Sequence, residues 1–181
     1  MALLRENRVS GVGGGEGGST PGWITVADYG AVGDGSHFYD GVAVAGSSTF
    51  TSISANFTPA INGKIIIIYK LGATYGEMIV DTIATVAYVN ASTVTLSPAA
   101  VSSITDGQFY IGTDNTAAFS AAAAAAAATQ LMQPSRVGVE HPPVTKITVP
   151  SGIFLLKTLV NVSNKLVVWE YLGGASIIPA S

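Results

Sequence analysis

Three aspartates, Asp28, Asp34 and Asp114, invite a chemical reading, because glycoside hydrolysis needs two carboxyl groups flanking the scissile bond. Their neighbours point to architecture instead. Asp34 precedes Gly35, and Asp-Gly turns a chain because glycine takes a positive φ without steric cost. Asp114 stands just ahead of an alanine-rich run, where its carboxylate or the hydroxyl of Thr113 accepts a free N–H of the first helical turn. Asp28 is placed to accept backbone bonds nearby. A glycosidase pair also needs a cleft, for which 181 residues leave little room, so none of the three is expected to be catalytic.

Other chemistries find less support. His37 and His141 are the only histidines, both in expected loops without a second ligand at recognisable spacing, so no zinc site is expected. The absence of cysteine removes disulfides and thiolate ligands. Ser19 and the other serines lack the G-x-S-x-G setting of a hydrolase nucleophile. The glycine run from Gly11 to Gly22 has no strand before it and no Lys-Ser or Lys-Thr closing it, which makes it a tether rather than a phosphate loop. A net charge of −3 with eight scattered Lys and Arg leaves no nucleic-acid footprint. No catalytic residue, cofactor or metal ligand is expected. Aromatic residues such as Trp23, Tyr39, Tyr69, Tyr110 and Trp169 suit core and cross-strand packing better than sugar stacking.

These residues are set in a chain that reads as mainly β. Apolar residues make up 48% and charged residues only 10%, enough for a core with a surface of Ser, Thr and Asn. Residues 1–22 form an arm, Met1 to Val9, and the tether. Charges in the first eight residues argue against a signal peptide, and no apolar run reaches the roughly 20 residues of a membrane span. From 36 to 111, short Val-, Ile-, Thr- and Tyr-rich runs alternate with turns at Asn62-Gly63 and Asp106-Gly107, the pattern of a small antiparallel β subdomain. Eight consecutive alanines from Ala121 to Ala128 predict a helix reaching about Met132, because alanine loses almost no side-chain entropy on folding. Short strands are then expected at Thr145 to Val149, Ile153 to Leu156, Lys165 to Trp169 and Ala175 to Ile178.

With residues 36–111 set aside, Asp28-Tyr29-Gly30-Ala31-Val32-Gly33-Asp34-Gly35 runs on to Thr113-Asp114-Asn115-Thr116-Ala117-Ala118-Phe119, the alanine helix and Val149-Pro150-Ser151-Gly152-Ile153-Phe154. This order resembles the N-terminal entrance region of the pectate-lyase-like right-handed β-helix superfamily, as in phage tailspike and depolymerase proteins. The resemblance spans Ile24 to Gly35 and Gly112 to Ile178. It implies the start of a right-handed parallel β-helix with an N-terminal capping α-helix, occupying 23–35 and 112–181, and an antiparallel subdomain inserted at 36–111. Family enzymes carry their catalytic groups on later coils, so no catalytic residue transfers to this chain.

The function expected from the resemblance is structural: the particle-anchoring and assembly part of a phage tailspike or tail fibre, located in the virion after assembly in the bacterial cytoplasm. A homotrimer is expected, with tail or baseplate proteins held by Met1 to Val9 and a host surface polysaccharide contacted through a downstream part. The alternatives are the leading fragment of a polysaccharide lyase or hydrolase, whose longer parent would be the depolymerase, and a carbohydrate-binding module.

Overall fold

The computed structural model describes residues 23–72, 74–75, 78–79, 81–132, 145–160 and 167–179. The arm and tether, and His141, lie outside the described residues.

Six strands, β2 (Ser36–Ala43), β3 (Thr49–Thr51), β4 (Ile65–Ile68), β7 (Thr82–Asn90), β8 (Thr93–Ser97) and β9 (Ile104–Gly112), close into an antiparallel barrel in the order β2-β3-β8-β7-β4-β9. Their period-two pattern sets which face of each strand is buried. Val94 and Leu96 on β8, Ala84 and Val86 on β7, and Phe109 and Ile111 on β9 face one interior, with Phe50, Ile66 and Ile68. Joining the last strand to the first closes the ring, with β9 paired to β2 on one side and, from Phe109 to Gly112, to β4 on the other. A short antiparallel pair, β5 (Thr74–Tyr75) and β6 (Met78–Ile79), lies outside it.

One carboxylate fixes the turn after β3. Asp40 accepts from Ser52 Oγ at 2.5 Å, Ile53 N at 2.9 Å, Ser54 N at 2.8 Å and Ser54 Oγ at 2.6 Å. These bonds, led by the one from Ser52, hold its pKa far below the ordinary carboxylate value.

The four isoleucines of β4 are buried on both faces. Ile66 and Ile68 belong to the barrel interior, while Ile65 and Ile67 pack outside it against Leu155. That outer seam joins the barrel to the rest of the chain. There β1 (Trp23–Thr25), β10 (Thr145–Val149) and β12 (Val167–Tyr171) form a parallel sheet in the order β1-β10-β12. A second parallel pair consists of β11 (Gly152–Leu156) and β13 (Ala175–Pro179).

Helix α1 (Thr116–Met132) covers these strands. Ala122 and Ala126 are fully buried against Ile24, Val26, Ile147 and Val149, and their single methyl groups let the helix lie close to the sheet. Phe119 supplies the bulk, edge-on to Phe154 at 5.7 Å and stacked on Trp169 at 5.6 Å.

The structure corrects the expected fold. The described residues contain no β-helix solenoid, and their parallel strands make only a three-stranded and a two-stranded sheet. The largest sheet is instead the closed antiparallel barrel. The physical reason lies in what a sequence pattern encodes. Alternation marks strands and their buried faces, but not whether the first strand of a run returns to pair with its last, as β2 does with β9.

Candidate functional site

The two halves of the split signature meet along one edge of β11. Asp34 bridges Ile153 and Asp114 bridges Leu155, both in parallel register, while Gly35 N donates to Ile153 O and Asn115 N to Leu155 O, each at 2.9 Å. The chain runs beside β11, leaves at Ser36 to build the barrel, and returns at Gly112 to continue along the same edge. Ser36 and Ile111 are paired partners at that crossing.

Two glycines permit the crossing. A Cβ on Gly35 would sit 2.7 Å from Ile153 O, and one on Gly112 would sit 2.9 Å from Gly35 Cα. Both clashes are with backbone, which side-chain rotation cannot relieve.

Asp34 ties the crossing to the barrel wall. Its carboxylate accepts from Lys64 Nζ at 2.7 Å, Thr113 N at 2.9 Å and Thr113 Oγ1 at 2.9 Å. Partial burial pushes its pKa up, but the bonds from Lys64 and Thr113 outweigh that and leave it below the ordinary value of 3.8. A carboxyl whose pKa is depressed by folding contributes stability above its unfolded pKa and loses it as pH falls through the folded one. Asp34→Asn is therefore expected to lower the urea midpoint at about pH 7, with the difference from the parent shrinking as the pH falls toward about 2. Equal differences at both pH values would show that ionisation of Asp34 contributes nothing.

Asn115 locks the two halves together from inside. It is 1% exposed; its Oδ1 accepts from Val32 N at 2.7 Å, and its Nδ2 donates to Val32 O at 3.1 Å and Thr113 O at 2.9 Å. Its own carbonyl accepts from Phe119 N and so opens helix α1. Beside it, Asp114 Oδ1 accepts from Thr116 N at 3.0 Å, Thr116 Oγ1 at 2.6 Å and Lys157 N at 3.3 Å.

Two of the three aspartates singled out in the sequence thus lie two β11 positions apart, and Asp28 does not join them. Asp28 is exposed on the 3₁₀ turn Val26–Tyr29, and no hydrogen bond to its carboxylate occurs among the described residues. Asp34 and Asp114 together accept from three backbone N–H groups and three side-chain donors. A cavity of about 130 Å³ adjoins Asp34 and Lys64, lined also by Ser36, Asn56 and Thr58, and Asp114 takes no part in it. Among the described residues no three His, Asp or Glu side chains converge as metal ligands, and no helix is long and apolar enough to cross a membrane.

His37 lies on β2 rather than in a loop, stacked on Tyr110 at 4.0 Å and 4.3 Å from Tyr39. Its Nε2 is buried, with no hydrogen-bond partner among the described residues. Tyr69 meets Tyr110 edge-on at 6.0 Å; burial, followed by Tyr110 and Asp81, raises its phenol above the ordinary 10.0.

Comparison with known proteins finds no family model, curated protein or solved structure that matches this chain. The site therefore rests on its own geometry. Sequence reasoning singled out Asp34 and Asp114 but missed Lys64, which reads only as the first residue of an apolar run. The buried role of Asn115 was missed too. A polar residue between a helix-capping aspartate and the helix itself was the available signal.

Proposed function

We propose that this chain is a phage virion structural protein, the particle-anchoring and assembly part of a tailspike or tail fibre. The observation that carries this reading is the joint: a whole barrel is spliced into one strand edge through two adjacent crossings, closed by buried Asn115 and by the Asp34–Lys64 pair at 2.7 Å. A mounting piece must transmit force between modules without letting them swivel. Two crossings held by hydrogen bonds resist rotation where one flexible linker would not. The motif order that resembles tailspike proteins adds the setting, and the arm Met1 to Val9 offers a second point of attachment.

Electron cryomicroscopy of purified particles tests this. The chain is expected at the tail, in three copies per spike or fibre. A monomeric protein absent from the particles would contradict it.

One observation favours carbohydrate binding as a second reading. The row Tyr39, His37, Tyr110 and Tyr69 crosses the outer barrel face, and Tyr39 is 64% exposed, as a sugar-stacking platform must be.

A further inference from the structure

The barrel wall is incomplete at the end of β9 remote from the joint, about 20 Å along the strand from Gly112. Strand β4 is registered with β9 only from Gly112 to Phe109, and Tyr69 N then donates to Gln108 O. Lys70 turns away with φ 58°, and the chain rejoins this side where Leu71 O accepts from Ser102 N. Among the described residues, no strand pairs with 103–107 on that side. On the other side β2 pairs Gly41 with Gly107 and Ala43 with Ile104, so β9 bulges at Thr105 and Asp106, the latter at φ 53°.

A cavity of about 640 Å³ occupies this gap, within the size range of ligand sites. Val42, Val44 and Ile104 give it an apolar wall, and Val44 is 62% exposed. Lys70 and Asp106 line it too, and neither forms an ion pair among the described residues. Two of the three non-glycine residues with positive φ in the described chain thus border one cavity, and such conformations cluster at binding sites.

A strand side unpaired among the described residues, with an apolar wall and one charge of each sign outside any ion pair there, suits an extended polypeptide, which adds backbone bonds to the strand and side chains to the pockets. We propose that the cavity receives the arm Met1–Val9 of a second copy of this chain, an inference that rests on the assembly role above. The arm carries Leu3, Leu4 and Val9 for the apolar wall, Arg5 and Arg8 for Asp106, and Glu6 for Lys70. It holds two of the chain's eight cations. An arm of one copy seated in the cavity of the next makes a head-to-tail contact. Such a head-to-tail contact closes into a ring of copies when the rotation permits.

Sedimentation velocity of the full chain tests the proposal by charge exchange. The parent associates; Asp106→Arg weakens association roughly three- to tenfold, as does the paired Arg5→Glu and Arg8→Glu change, and the chain carrying all three recovers it. Matching circular dichroism melts establish that each variant is folded. A parent that stays monomeric, as it would if the arm occupied its own barrel, overturns the proposal. So does association indifferent to the reversals, or reversals that the combined chain does not rescue. Absence from virions with charge-dependent association intact would sink the tail reading alone.

Discussion

The Asn115→Ala chain is expected to lose about 3 kcal/mol of stability relative to the parent. Three hydrogen bonds disappear together, two to Val32 and one to Thr113, and each contributes about 1 kcal/mol net. The Asn115 side chain is 1% exposed, so truncating it also leaves a space at the joint. For a chain of this size the thermal midpoint falls by roughly 10 °C. The change also acts at two places at once, since the same residue holds the segment before the barrel and begins helix α1. Differential scanning calorimetry reads the outcome, and a midpoint within about 2 °C of the parent would mean that the bonds to Val32 are dispensable.

Phe109→Ala is expected to cost about 3 to 5 kcal/mol. Phe109 is fully buried, edge-on to Phe50 at 4.9 Å and offset from Phe38 at 5.2 Å. It stands on the strand that pairs with both β2 and β4, so its removal opens a cavity where the ring closes. Close packing on every side limits collapse into that space. Phe109→Leu keeps most of the volume and should recover more than half of the loss in urea unfolding. Equal destabilisation by both substitutions would point to ring contacts rather than volume as the source of the effect.

The local pattern of this protein is legible in its sequence, and the closure is not. Thr93 to Ser97 alternates polar and apolar residues and forms a half-buried strand. The alanines from Ala121 to Ala128 are helical, as propensity requires. The run Ile65 to Ile68 shows that both faces are buried, but not that one faces a barrel interior and the other faces Leu155. Nor does any local signal mark Ser36 as the partner of Ile111, since contacts across such separations are fixed by the whole set of strands. The expectation of a solenoid came from motif order, which carries over the sequence of elements but not how many parallel strands accumulate.

The joint was half visible. Asp114 was recognisable as cap chemistry, which depends on neighbours close in sequence, whereas the turn expected at Asp34-Gly35 is extended backbone bridged to Ile153, with Asp34 held by the distant Lys64 and Thr113. Lys64 and Val32 reach the site across long separations, and their residue types carry no sign of it. What the structure adds is the reason for the glycines: Gly35 and Gly112 touch because one strand edge must both release and recover the chain.

The proposed mounting role requires the barrel and the parallel sheet to move as one body, and native-state hydrogen exchange of Ile66 in the barrel and Ile147 in the parallel sheet measures that directly. Both amides are expected to exchange through one global opening of equal free energy, lowered equally by Asn115→Ala. If Ile147 opened at several kcal/mol less than Ile66, and Asn115→Ala left Ile66 unchanged, the joint would not couple the two parts and the account would be wrong.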